Sequence, residues 1–153
     1  MLSGIEIRKL TSENEVKIIS HLRVAHLMEE FGKRYDEEKI RAELIEWRNQ
    51  GRDFWRADSR HFNVGYSIGH KEEGGGYYAD AVFVLKRFRR MKIGSELGRI
   101  QVERARELGC NVINTRVLGE NKPSIGFQRR LGFEVYDSGG IWCTRLVLKI
   151  LSP

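Results

Sequence analysis

The sequence predicts an α/β chain folded on a mixed sheet, as one domain over residues 1–153. Three observations predict it. Strand-like and helix-like stretches alternate in the second half, which implies parallel strands joined by helices. In the middle, strand-like residues 62–70 and 77–85 flank the polar turn K-E-E-G-G-G at 71–76, which implies an antiparallel hairpin. The length also suits one domain with its own core, and 41% hydrophobic and 31% charged residues with two prolines exclude a disordered or collagen-like chain.

Each element follows from local pattern. Residues 4–10 alternate Ile5 and Ile7 with Glu6 and Arg8, a strand. Ser12 and Glu15 form an S-x-x-E capping box, and Val16, Ile19, Leu22 and Leu27 continue at helical spacing to a stop near Gly32. His26 continues that apolar face, as a packed residue rather than a ligand. Asp36 opens a second helix with Ile40, Leu44 and Trp47 inward, ending before Gly51. Residues 53–57, 62–70 and 77–85 are strands. A helix over 94–108 turns Leu97, Ile100, Ala105 and Leu108 inward, with Gly109 just beyond its end. Residues 111–118 form a strand. Asn121 caps a short helix whose Pro123 is tolerated in the first turn and which stops at Gly132. Residues 133–136 and 142–150 close the chain as two strands around a turn at 137–140. The order is β-α-α-β-β-β-α-β-α-β-β.

The formal charge is +6, and its placement is uneven. Residues 1–53 carry 10 Lys/Arg against 11 Asp/Glu, residues 54–75 carry 3 against 3, and residues 76–153 carry 14 against 7, so the excess lies in the second half. Five of those cations fall within seven residues: Lys86, Arg87, Arg89, Arg90 and Lys92. Such a run is a solvated loop, a nucleic-acid contact or a phosphate cradle. No apolar stretch is long enough to span a bilayer, and no apolar run follows a basic start at the N-terminus, so a reducing, cytoplasmic setting is expected. Cys110 and Cys143, 33 positions apart, are expected as buried thiols, and His21, His26, His61 and His70 form no metal-ligand spacing.

The informative unit is the strand 77–85, the basic loop 86–93 and the helix that follows. A helix opening directly after a strand aims its first N–H groups at one spot, where the helix dipole favours an anion. No G-x-x-x-x-G-K-[ST] or G-x-G-x-x-G pattern is present. The physical reading is a diphosphate-bearing ligand at this turn.

Three segments resemble the GNAT (Gcn5-related) N-acetyltransferases. Phe88-Arg89-Arg90-Met91-Lys92-Ile93-Gly94-Ser95-Glu96-Leu97 is similar to the family's acetyl-CoA signature Q/R-x-x-G-x-G/A, with Arg89 at the first position and Gly94 at the last. Residues 121–133, from Asn121 and Ser124 to Gly132 and Phe133, resemble N-x-x-(A/S)-x-x-x-Y-x-x-x-G-F. Tyr78-Ala79-Asp80-Ala81-Val82-Phe83-Val84 is similar to the strand that carries the catalytic glutamate of the family's histone acetyltransferases.

The resemblance implies a mixed, twisted central sheet with helices on both faces, and acetyl-CoA as acyl donor with no metal. It implies that the pyrophosphate rests on the N–H groups of Arg90, Met91, Lys92, Ile93, Gly94 and Ser95. The pantetheine arm would pair with the backbone from Phe83 to Lys86, and Arg89, Asn121 and Ser124 would complete the cofactor contacts. The Val84 N–H would polarise the thioester carbonyl. An amine would attack directly; neither cysteine has a histidine at readable spacing to serve as an acyl-enzyme nucleophile.

Two positions depart from the family pattern. Lys92 replaces the first motif glycine, and a lysine fits there if its φ is negative. Gln128 stands where many relatives carry a tyrosine, the acid for the leaving thiolate, and an amide cannot supply that proton. Asp80 is the candidate base for the acceptor ammonium. It lies four positions before Val84, roughly 13 Å along a strand, so a bridging water belongs to that assignment. Glu29, Glu30, Asp36, Glu37 and Glu38 concentrate acid around 31–35, either as helix-end acids or as a lure for an amine cation.

The expected function is acetyl transfer from acetyl-CoA to a primary amine of a protein, peptide or small molecule. The alternative is a CoA-binding or CoA-sensing domain without turnover; a nucleic-acid binder comes third, since no base-reading pattern accompanies the basic run. The expected partner is an amine-bearing acceptor, with no membrane partner, and a homodimer is left open.

Overall fold

The computed structural model describes residues 4–60, 62–118, 121–137 and 143–150. Seven strands form one mixed sheet: β1 (Ile5–Leu10), β2 (Asp53–Ser59), β3 (Phe62–Lys71), β4 (Tyr77–Val84), β5 (Val112–Leu118), β6 (Glu134–Asp137) and β7 (Cys143–Lys149), in the spatial order β1-β2-β3-β4-β5-β7-β6. The helices are α1 (Glu13–Ile18), α2 (Ser20–Phe31), α3 (Glu37–Asn49), α4 (Ile93–Glu107) and α5 (Lys122–Arg130). Residues 138–140 of the expected turn, Trp142 and the Cys143 side chain lie outside the described residues, while Asp137 is the last residue of β6; Cys110 is buried.

One element differs from the sequence expectation. The helix read from Ser12 to Gly32 is two helices, broken at Ile19. Ser12 caps α1 as expected, accepting from the Glu15 N–H at 3.2 Å. At the break the Ile19 N–H bonds back to Val16 rather than four residues back, which tightens the last turn of α1 and redirects the chain. The break lets the Ser20 hydroxyl, buried beneath the helices, donate to Glu37 of α3 at 3.0 Å. No glycine or proline marks it, so helical periodicity ran through it unbroken.

The chain forms two compact units. The first holds the residues up to Ile68 together with Ala81–Leu97. Here β1 pairs antiparallel with β2, and the apolar faces of α1, α2 and α3 bury Val16, Leu22, Leu44 and Phe54 against Tyr66, Ile68 and Phe83. Asp36 caps α3, accepting from the Glu38 N–H at 2.9 Å. The opposite sheet face meets α4. A Cβ added to Gly65 would lie 2.8 Å from the Phe83 carbonyl oxygen and 3.5 Å from Leu97, so only glycine allows this approach.

The second unit holds Gly69–Asp80 and the residues from Gly98 on. The hairpin turn closes with Gly75 N–H on the Glu72 carbonyl at 3.0 Å and Glu72 N–H on Gly76 at 2.7 Å, with Gly75 at φ +90°. The parallel ladder between β4 and β5 covers Tyr77 with Ile113 and Tyr78 with Asn114. One residue further, the Ala79 carbonyl accepts from the Thr115 hydroxyl at 3.0 Å. β7 pairs antiparallel with β5 on one side and with β6 on the other.

The β3–β4 register holds one irregularity. Backbone bonds join Glu72 to Gly76 and Leu85 to Val64. Between them lie seven residues on β3 (65–71) and eight on β4 (77–84), so β4 carries one extra residue, a β-bulge. Tyr66 faces Phe83, whereas nearer the turn His70 meets both Tyr78 and Asp80. The extra residue therefore falls at about Asp80.

Candidate active site

Beyond β4 the chain makes a 3-10 turn over Lys86–Phe88 and enters α4 at Ile93. The first α-helical bond of α4 runs from the Glu96 N–H to the Lys92 carbonyl at 3.1 Å. The N–H groups of Ile93, Gly94 and Ser95 thus precede the helix ladder and point out of its positive end. Arg90 and Lys92 both adopt left-handed backbone, with φ +67° and +64°. The expectation that Lys92 fits through a negative φ is therefore corrected: lysine occupies the left-handed conformation that the family's glycine takes without strain. Left-handed residues on either side of Met91 are the kind of backbone from which anion-binding concavities are built.

The basic run divides into two kinds of side chain. Lys86, Arg87, Arg90 and Lys92 are exposed, and no ion pair among the described residues involves them. Arg89 turns back onto β4. Its Nε donates to the Val84 carbonyl at 2.8 Å, its Nη2 donates to Glu29 Oε2 at 2.8 Å, and its guanidinium lies 5.5 Å from the Phe83 ring centre. The Arg89 bond holds the Glu29 carboxyl below its ordinary pKa.

Beside this lies a half-buried polar cluster, closed by the buried Tyr66, that the sequence does not reveal. His26 of α2 stacks on Phe83, and its Nδ1 meets the Tyr66 hydroxyl at 2.5 Å. Arg23 donates to the same phenol oxygen at 3.4 Å. Burial, reinforced by Arg23, lowers the His26 pKa to about 4, so the ring is neutral at pH 7. Burial pushes Tyr66 up to about 12 and also raises Glu30. With both groups neutral, a Tyr66 O–H donated to Nδ1 pairs these two groups and places the imidazole proton on Nε2, while the buried Arg23 Nε is left without a hydrogen-bond partner among the described residues. Glu30 lies 3.6 Å from that nitrogen, too far for a hydrogen bond and, with a neutral ring, not an ion pair. The residues sit 40 positions apart on α2 and β3, and no local pattern links them.

Asp80, the candidate base, is paired. Its Oδ2 lies 2.7 Å from His70 Nδ1, with the aspartate side chain 8% and the histidine 27% exposed. Tyr78, whose hydroxyl accepts from Arg116 at 2.7 Å, packs against the same imidazole. The Glu72–Gly76 bond that closes the turn sets residue 70 across from 78 and diagonal to 80, a register that the sequence alone does not give.

The remaining candidates have structural partners. Asn121 caps α5, accepting from the Ser124 N–H at 3.3 Å. Gln128 is buried. In the acidic concentration, Asp36 caps α3, Glu37 accepts from Ser20 and lies 3.7 Å from Arg41, and Glu29 holds Arg89. Among the described residues no cluster of three metal-ligating side chains is present, and no helix is long and apolar enough to cross a membrane.

Comparison places this geometry among known folds. N-acetyltransferase from Staphylococcus aureus Mu50 superposes with a TM-score of 0.79 at 12% identity, over 97% of this chain and 100% of that one. YncA from Salmonella typhimurium, whose structure holds its cofactor acetyl-CoA, gives 0.75 at 17% identity over 99% and 96%. PaiA N-acetyltransferase from Thermoplasma acidophilum, in complex with coenzyme A, gives 0.75 at 20% over 95% and 98%. No curated protein matches the chain in sequence. The sequence profile of the Acetyltransferase (GNAT) family matches residues 21–133, a span that takes in α2, the basic turn, the bulged strand and α5; the chain belongs to the GNAT acetyltransferase family.

Proposed function

We propose that the protein transfers the acetyl group of acetyl-CoA to a primary amine. The observation that supports this is the turn from β4 into α4, where the first-turn N–H groups, two left-handed residues and four exposed cations lie within residues 86–95, a combination suited to a diphosphate. Acetyl-CoA supplies an activated thioester. The N–H groups from Arg90 to Ser95 bind its pyrophosphate, with Lys86, Arg90 and Lys92 adding charge. Asn121 and Ser124 contribute through the capped start of α5.

Within 83–86 several backbone groups are already engaged. The Leu85 N–H bonds to Val64, the Val84 carbonyl accepts from Arg89, and the Leu85 and Lys86 carbonyls close the 3-10 turn. Pantetheine pairing falls to the other groups of this stretch, and the Val84 N–H polarises the thioester carbonyl. The amine nitrogen attacks that carbonyl, the C–S bond breaks, and the thiolate leaves and is protonated by water. The ammonium proton passes through water to the Asp80–His70 pair, where the imidazole is the more exposed member.

Thermal denaturation with acetyl-CoA tests the reading. Melting temperature should rise with ligand concentration, and Gly94→Val, by crowding the cradle, should abolish the rise. An unchanged rise in that variant overturns the assignment of the turn. The buried amide of Gln128 favours a second reading, a CoA-binding domain without turnover. Binding without thiol release across a panel of primary amines would establish it.

A further inference from the structure

Arg89 sits in the family's phosphate-binding signature, yet its guanidinium is committed elsewhere. Two of its nitrogens bond at 2.8 Å to the Val84 carbonyl and to Glu29 of α2, and its plane lies over Phe83. The peptide unit after Val84 is thereby held at both ends, because the Leu85 N–H is bonded to Val64 at 2.9 Å. The same Phe83 ring stacks on His26 of α2, 4.7 Å between centroids. What sets Arg89 apart is this pairing and not burial, since its side chain is 39% exposed; the other cations of the run are exposed too and have no ion pairs among the described residues.

We propose that Arg89 is a positioning residue. Through Glu29 and the Val84 carbonyl it fixes the end of β4 that meets the acyl group, and it ties that strand end to α2. Phosphate recognition is left to the backbone of the turn and to its exposed cations. The inference rests on the acetyl-CoA reading above, and it assigns Arg89 to the acyl end of the ligand rather than the nucleotide end. The guanidinium serves the strand carbonyl and the carboxylate from two nitrogens held in one rigid plane, a geometry that a lysine ammonium does not reproduce.

Calorimetric titration of the wild type, Arg89→Ala, Arg89→Lys, Glu29→Gln, the Arg89→Ala/Glu29→Gln double variant and Arg90→Ala, each with CoA and acetyl-CoA, tests this. In Arg89→Ala the preference for acetyl-CoA over CoA should fall by roughly three- to tenfold, the size of one well-placed hydrogen bond. CoA itself should change by less than about threefold, a bound set by that same hydrogen-bond scale. Arg89→Lys should lose the same preference although it keeps the charge. Glu29→Gln should move the preference in the same direction, and the double variant should be no worse than Arg89→Ala alone, as expected of residues acting as one unit. Arg90→Ala should weaken both ligands alike. Equal weakening of both ligands by tenfold or more in Arg89→Ala, with affinity rescued by Arg89→Lys, would make Arg89 a phosphate ligand and overturn the proposal. Additive effects in the double variant would also overturn it. A wild type that binds neither ligand defeats the acetyl-CoA reading itself, a distinguishable result.

Discussion

His26 lies nearly parallel to Phe83, 18° between ring planes, while its Nδ1 rests on the hydroxyl of Tyr66. α2 is thus fastened to β3 and β4 by a polar and aromatic contact beside the apolar core. The arrangement suits a neutral imidazole and opposes a charged one.

Stability should therefore depend on pH through His26. Its folded pKa, about 4, lies below the unfolded value of 6.5. Above pH 6.5 the ring is neutral in both states and contributes no pH dependence. As pH falls from 6.5 toward 4, the unfolded chain takes up a proton that the folded chain refuses, so stability declines by about 1.4 kcal/mol per unit. The loss levels off near pH 4, at about 3 kcal/mol in all. Urea denaturation at pH 7, 6 and 5 measures it. His26→Gln should flatten that slope, and an identical slope in the variant would remove His26 as its source.

Lys92→Gly should stabilise the fold. A left-handed conformation costs an L-residue about 1–2 kcal/mol, part of which glycine returns through the entropy of its unfolded chain. The net gain expected is about 0.5–1 kcal/mol. Lys92→Ala keeps the strain and should give no gain. Equal melting temperatures for the glycine and alanine variants would contradict the backbone assignment.

Gly65→Ala should do the opposite. The new methyl would stand 2.8 Å from the Phe83 carbonyl, a backbone atom that no rotamer change can move. Displacing the end of β4 should cost about 1–3 kcal/mol and weaken acetyl-CoA, whose acyl end depends on that strand. Wild-type stability and affinity in this variant would mean that β3 and β4 approach less closely at Gly65.

Asp80→Asn keeps the shape and removes the basicity. Turnover at neutral pH should drop by about 10²-fold or more, with acetyl-CoA affinity nearly unchanged, because the carboxylate is engaged by His70 and not by the phosphates. The loss should shrink as pH rises and more amine arrives deprotonated. His70→Gln should also slow turnover, and the double variant should match the slower single one. Thiol release with a panel of primary amines reads each case. A fully active Asp80→Asn, or a loss matched by lost cofactor binding, removes Asp80 from the mechanism.

The parts of this fold that the sequence makes legible are those set by neighbours in the chain. Ser12, Asp36 and Asn121 cap helices because a short oxygen next to free N–H groups acts within three residues. K-E-E-G-G-G closes a turn because Gly75 accepts a positive φ. What escaped reading depends on register and distance. The bulge at Asp80 leaves no mark in a strand that alternates regularly by eye. The left-handed Lys92 is invisible because lysine carries no conformational signature. Glu29 and Arg89 are 60 positions apart, and only the seating of α2 on β4 brings them together. Charge clustering marks the basic turn in sequence, but it could not separate the one arginine tied back to Val84 and Glu29 from the other four cations of the run.

The sheet ends in β1 and β6, and each is poorly made for accepting another strand. β1 exposes Glu6, Arg8 and Lys9, with Arg8 and Lys9 drawn toward Asp58 and Asp53 of β2 at 3.7 and 3.2 Å. β6 is four residues long and shifts register between Val135 and Asp137. A stray chain docking on either rim would meet buried-charge penalties on one and a short, kinked template on the other. Concentrated solutions of the folded protein should thus resist edge-to-edge fibril growth through either described rim.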